Sequence, residues 1–213
     1  MAKLESSFKN MLLALTVITC LSGAILGGVN ELTKSSISAA KLAKQENAIK
    51  NVVPEFNNNP LEDKWTVTLN DGTEATIFPA KMGDETVGAA VETITKSGFS
   101  GPITIMVGFD KEGNIVNYSV LSHSETPGLG SKMGTWFREK GSIIGKNPST
   151  VNLTVFKDGG DIDAITAATI SSRAFLAAVK NAYNAYMGSS DAQSGATSQS
   201  KNSDKGTKTE ANQ

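Results

Sequence analysis

Nineteen consecutive residues without a charge, Met11 to Val29, limit what this chain can become more than any other feature. A hydrocarbon core ~30 Å thick is crossed by about 20 apolar residues in a helix, so the run is long enough for one crossing. A cleaved secretion signal would have a shorter apolar core and a small-residue cleavage site of the Ala-x-Ala kind, and no such site is present. A lipoprotein would use Cys20, but Thr19 is an unusual neighbour and the apolar run continues well past the cysteine. The sequence therefore predicts a short segment at 1–10 and an uncleaved transmembrane helix over 11–29, with membrane lipid as its surroundings. Cys20 is then a small packing or lipid-facing residue. Lys3 and Lys9 lie before the run and Lys34, Lys41 and Lys44 after it, so positive charge alone does not orient it.

Beyond the run, Ile37, Ala40, Leu42 and Ala43 give a partial apolar face, and Pro54 and Asn57-Asn58-Asn59-Pro60 end it, which predicts a linker helix and loop over 30–62. From Lys64 the period of the apolar residues changes to two. Trp65, Val67 and Leu69 lead to a turn at Asn70-Asp71-Gly72, and Ala75 and Ile77 follow. Val87, Ala89 and Val91 alternate next. Ile103, Ile105, Val107 and Phe109 then precede a turn at Lys111-Glu112-Gly113-Asn114 and a run from Ile115 to Leu121. This is hairpin spacing and predicts an antiparallel sheet. A short helix over Lys132–Glu139 and a strand over Val151–Phe156 are expected after it. From Phe175 the spacing is helical through Val179, Ala182 and Tyr186, with Gly188 as a stop signal. The expectation is an α+β domain over 63–188, an antiparallel sheet with the 170–187 helix packed on it. After Gly188 alanine is the only apolar residue type, which predicts a disordered tail over 189–213.

Charge and reactive side chains narrow the function. Lys+Arg 20 against Asp+Glu 21 leaves no basic surplus for nucleic acid. One cysteine and one histidine, His123, exclude a disulfide framework, an iron–sulfur site and a His-based metal site within one chain. No metal and no independent catalysis are expected; any redox chemistry must come from a carried group.

One place to carry it is Asp163-Ala164-Ile165-Thr166-Ala167-Ala168-Thr169-Ile170-Ser171-Ser172. Its hydroxyls fall at or before the first turn of the last helix, where amides lack intrahelical partners and the partial positive charge favours phosphate. Spacing alone is equally served by an ordinary Ser/Thr cap. Asp163-x-x-Thr166-Ala167-Ala168-Thr169 resembles the Asp-x-x-(Ser/Thr)-Gly-Ala-Thr signature of proteins that carry FMN on a threonine through a phosphoester bond. The resemblance implies that a flavin transferase moves FMN from FAD onto Thr169, with Asp163, Thr166 and Ala168 as part of the site. Ala167 stands where the signature has Gly, a change tolerated unless the backbone there needs positive φ. Asp191-Ala192-Gln193-Ser194-Gly195-Ala196-Thr197 matches the signature letter for letter, but lies in a segment rich in those residues. Thr169 is therefore the expected acceptor and Thr197 is not.

The second stretch is Ser122-His123-Ser124-Glu125-Thr126-Pro127-Gly128-Leu129-Gly130. Pro127-Gly128 is a turn signal, and the glycines let backbone approach a flat ligand or simply close a tight connection. His-x-Glu-Thr-Pro-Gly-Leu-Gly, preceded by Gly101-Pro102-Ile103-Thr104-Ile105-Met106-Val107-Gly108, resembles the FMN-binding domain found in the G subunit of Rnf-type ion-translocating electron transport complexes. The likeness runs from about Phe8 to Met187. It implies a membrane-bound flavoprotein that relays electrons, with Glu125, Thr126, Gly128 and Leu129 facing the flavin. His123 is equally served by a strand-end role bonded to backbone. Lys132 and Arg138 either pair with the phosphodiester or are solvated. Partners implied are the other membrane subunits and a flavin transferase. The location implied is the bacterial inner membrane, single-pass, with the flavin domain on the periplasmic side. The C subunit of the sodium-pumping NADH:quinone reductase shares both motifs, and a membrane-anchored flavin-domain regulator or sensor would use the same residues.

Overall fold

The computed structural model describes residues 8–69 and 71–193, with side chains to 188. The first element, α1 (Phe8–Val52), merges the expected membrane and linker helices into one helix of 45 residues, about 68 Å at 1.5 Å per residue. It crosses the boundary between two compact units, Met1–Ala48 and Ile49–Gln213. Between Phe8 and Ala43 the apolar side chains are exposed on every side, Leu13 at 66% and Ile18 at 62%. By length and composition α1 is long and apolar enough to cross a membrane. Both threonines of the apolar run are turned back on the helix: Thr16 Oγ1 donates to the Leu12 carbonyl (2.9 Å) and Thr19 Oγ1 to the Leu15 carbonyl (2.7 Å). Such bonds spare these two hydroxyls the cost of facing lipid without a partner.

The second unit holds five antiparallel strands in chain order: β1 (Trp65–Thr68), β2 (Glu74–Met82), β3 (Glu85–Thr95), β4 (Ile103–Asp110) and β5 (Ile115–Ser122). The register sets Ile77 opposite Val91, Val91 opposite Val107 and Val107 opposite Tyr118. Alternation then sends these residues to one face, where α3 (Thr169–Gln193) covers them. Ala174, Phe175, Ala178, Val179, Ala182 and Ala185 form the buried stripe of α3. Phe175 stacks on Phe137 (4.4 Å between centroids, 4°) and meets Tyr118 edge-on (5.0 Å, 69°). At the other end of the helix, Phe109 stacks on Tyr186 at 5.4 Å. The two buried tyrosine hydroxyls reach backbone acceptors, Tyr118 the Met133 carbonyl (2.7 Å) and Tyr186 the Asp110 carbonyl (3.0 Å).

The opposite face carries Phe78, Ala90 and Met106, also fully buried. Ile49 and Val52, at the end of α1, and the segment after them close this side. A Cβ on Gly108 would lie 1.7 Å from the Val52 carbonyl oxygen, so glycine is what lets the chain cross β4 that closely. Asn57 and Asn58 then clamp β2: the Asn57 amide donates to the Lys81 carbonyl, and Asn58 Nδ2 to the Pro79 carbonyl (both 2.9 Å). With both faces covered, the inner strands β2, β3 and β4 are largely buried, while the edge strands β1 and β5 stay partly exposed.

Three expectations need correction. Val151–Phe156 is not a strand. Its backbone closes on its own loop, with the Asp161 amide donating to the Asn152 carbonyl and the Phe156 amide to the Ile162 carbonyl. The only pairing there is a single bridge between Val155 and Ile162, followed by a 3₁₀ turn at Phe156–Asp158. The expected Lys132–Glu139 helix is a 3₁₀ turn at Gly130–Lys132 followed by α2 (Met133–Trp136). Gly188 does not stop α3, which runs on to Gln193; interior glycine costs a helix only about 1 kcal/mol. Asn70 of the first turn, Thr197 and its motif from Ser194, and most of the 189–213 tail lie outside the described residues.

Candidate functional site

The last helix begins where the hydroxyl-rich stretch ends. The Ser172 amide donates to the Ala168 carbonyl (3.0 Å) as the first bond of the α3 ladder, so the amides of Thr169, Ile170 and Ser171 precede it. Thr169 is the first helical residue and partly exposed. Ser172 fixes the approach: its hydroxyl accepts from the Ile165 amide and donates to the Ala168 carbonyl, both at 2.9 Å. Between them the chain turns sharply through Ala167, whose φ of +61° makes it the single non-glycine in the left-handed region among the described residues. The tolerance expected of alanine here carried the condition that φ be negative, and that condition fails. The side chain of Ala167 is held in a conformation that costs an L-residue about 1–2 kcal/mol.

This turn faces the loop after β5 across a cavity of about 340 Å³, within the range of small-molecule sites. One wall is Ala167, Ala168, Thr169 and Ile170; the other is Glu125, Thr126, Leu129 and Gly130, with Phe99 at the edge. Five expected site residues thus share one cavity: Thr169, Ala168, Glu125, Thr126 and Leu129. Gly128 (φ +75°) shapes the loop without lining the cavity, and its amide donates to Ser131 Oγ (2.9 Å). Asp163 and Thr166 stand outside it. Asp163 is tied by its carbonyl, which accepts from Trp136 Nε1 (2.9 Å), and Thr166 is exposed in the turn.

The walls are joined by a buried carboxylate. Ser171 Oγ donates to Glu125 Oε2 (2.5 Å), and the Ser100 amide donates to Glu125 Oε1 (3.1 Å). Glu125 is 4% exposed and Ser171 2%. The Glu125 amide in turn donates to His123 Nδ1 (3.1 Å), the strand-end role open to that histidine. Arg138 is committed elsewhere: its Nε donates to Asn117 Oδ1 (2.9 Å), its other nitrogens donate to the Gly134 and Tyr118 carbonyls, and it lies over the Tyr118 ring. Arg173, in the first turns of α3, is paired with Asp158 (2.6 Å), and that hydrogen bond holds the Asp158 carboxyl below its ordinary range. Lys132 is exposed.

Phe99 and Ile170 were missed by sequence reasoning. Both are large apolar residues left 67% and 48% exposed at the cavity. The available signal was an aromatic flanked by glycines at Gly98-Phe99-Ser100-Gly101, where a core role is implausible. Apolar edges, first-turn amides and a threonine hydroxyl together fit a planar heterocycle bearing a phosphate. Gly130 belongs to the same fit: a Cβ there would come within 2.5 Å of Ser171 Oγ and 2.6 Å of Glu125 Oε2.

Comparison with known proteins agrees with this geometry. Residues 98–184, which contain both walls, match the FMN-binding domain family. A protein of Salmonella typhi, named as the G subunit of an ion-translocating oxidoreductase complex, is 39% identical over 166 residues, covering 72% of this chain and 79% of its own. Its namesake in Vibrio atlanticus is 35% identical over 182 residues, 80% of this chain and 86% of the relative. The one in Shewanella amazonensis is 32% identical over 186 residues, 82% and 86% of the two chains. Likeness of that extent means that the chain belongs to the family of G subunits of ion-translocating oxidoreductase complexes.

Proposed function

We propose that this chain is anchored in the bacterial inner membrane by the N-terminal part of α1. In this reading it carries FMN through a phosphoester bond on Thr169 and relays electrons on the periplasmic side of an ion-translocating complex. The observation that carries the proposal is the position of Thr169: first residue of α3, beside amides that precede the helix ladder, lining a cavity whose other wall is the Glu125–Gly130 loop. When bound, FMN supplies one- and two-electron chemistry that no side chain offers. The chain supplies attachment and shape. The amides opening α3 favour the phosphate charge by roughly 0.3–1 kcal/mol or more, and Phe99, Leu129 and Ile170 shield apolar ring surface from water. Maturation needs a flavin transferase: the Thr169 Oγ–phosphorus bond replaces the pyrophosphate bond of FAD, and AMP and a proton leave. Other membrane subunits of the complex are the electron partners, as the names of the relatives imply.

The test is the mass of the intact chain produced with a flavin transferase, together with flavin fluorescence after denaturation. Thr169→Ala should abolish the label, Thr169→Ser should keep part of it, and Thr197→Ala should leave it unchanged. Fluorescence that survives Thr169→Ala and is lost with Thr197→Ala would move the acceptor to the tail.

A further inference from the structure

We infer that Glu125 is a positioning residue that, through Ser171, holds the first turn of α3 at a set distance from the ring-facing loops, so that Thr169 is presented to its flavin donor. Glu125 and Ser171 are 46 residues apart in the chain, yet their side chains meet at 2.5 Å, both more than nine-tenths buried. The second carboxylate oxygen takes the Ser100 amide, so one side chain ties three segments: the Gly98–Gly101 loop, the 125–130 loop and the opening of α3. Two glycines are cut to fit it. A Cβ on Gly98 would lie 2.7 Å from Glu125 Oε1, and one on Gly130 would lie 2.6 Å from Glu125 Oε2. Both oxygens are thus engaged inward, and a buried carboxylate with satisfied bonds specifies geometry more than it adds stability. Ser171 is two residues beyond Thr169 on the same turn, so any slack in this joint is slack in the hydroxyl that accepts the phosphate.

The inference rests on the reading that Thr169 is the acceptor, and its test separates the two. The full chain would be compared as wild type, Ser171→Ala, Glu125→Ala and Glu125→Gln. One readout is amide hydrogen exchange over 98–101, 126–131 and 165–171 in unflavinylated protein; the other is the rate of covalent labelling by the transferase. Ser171→Ala and Glu125→Ala should speed exchange in all three segments, and slow labelling, by roughly tenfold or more, as loss of a bond to a buried carboxylate implies. Glutamine keeps one acceptor oxygen and can donate to the serine, so Glu125→Gln should stay within about twofold of wild type in both. Exchange unchanged in Ser171→Ala, or faster exchange with labelling at the wild-type rate, would overturn the inference. So would a glutamine variant as impaired as the alanine one, since charge would then be the cause. Label retained by Thr169→Ala would sink the acceptor assignment alone, and the exchange data would still decide whether Glu125 joins the three segments.

Discussion

The two long helices are built from similar residues and put to opposite uses. In α1, residues 11–29 are apolar all round and wholly exposed, with Leu12, Leu15, Val17 and Leu26 each more than half accessible. In α3, apolar residues keep to one stripe and are buried against β3 and its neighbours, while Arg173, Ala177 and Asn184 face solvent. An all-round apolar helix needs an apolar solvent, whereas a striped one needs a protein partner. Their hydroxyls divide the same way. Thr16 and Thr19 of α1 bond to their own helix, while Ser171 and Ser172 of α3 tie that helix to other segments. A side chain at a helix end can reach outward; one amid an apolar run has only the turn below it.

The largest expected break in this comparison is Phe175→Ala, which removes a ring stacked on Phe137 and met edge-on by Tyr118. It should cost the domain about 3–5 kcal/mol, read by denaturant unfolding in detergent. The matched change Leu13→Ala in α1 should leave that transition where it is, because Leu13 touches no core. Next comes Ile18→Arg, a charge in the middle of the exposed apolar run, expected to cost membrane insertion about 2.5–3.5 kcal/mol. A reporter fused after Gln193, active only outside the cytoplasm, should be bright in the parent and dimmed by Ile18→Arg. A dark parent would reverse the proposed orientation.

Alkaline pH separates the helices without mutation. Burial pushes the Tyr118 and Tyr186 hydroxyls up to about 12 from an ordinary 10.0. Below pH 10 both tyrosines are protonated in folded and unfolded chains, and their contribution is complete. Between 10 and 12 the unfolded chain loses these protons first, so domain stability must fall as pH rises. Thermal unfolding followed with tyrosinate absorbance should show the loss over that window, while α1 contains no tyrosine to respond. The smallest effect sharpens the comparison at the entry to α3. Ala167→Gly removes a left-handed methyl and should stabilise the domain by about 0.5–1 kcal/mol, relief of strain less the added chain entropy. A melting point unchanged or lowered would show that the turn is not strained.

Much of this molecule was legible from spacing because its elements are local. The five strands follow the alternation from Trp65 to Leu121, and α3 follows the helical period around Phe175. The Val151–Phe156 stretch misled for an instructive reason. Leu153 and Val155 alternate with polar residues and are buried as strand residues would be, but their backbone partners are a few residues away in the same loop. Alternation reports which side chains are buried; it does not report where the amides go.

What the sequence by itself determined is whatever depends on neighbours along the chain: an apolar run long enough for a bilayer, the order of strands, the start of α3 among its hydroxyls, and the two motifs. What only the tertiary structure decided depends on residues far apart in sequence. The positive φ of Ala167 is imposed by the turn that delivers Ile165 to the core and Thr169 to the helix. The exposure of Phe99 and Ile170 follows from the cavity between two loops rather than from anything in their own surroundings. The inward engagement of Glu125 exists because folding brings Ser171 and Ser100 to it, so that the protein supplies a donor to each oxygen of a carboxylate only 4% exposed.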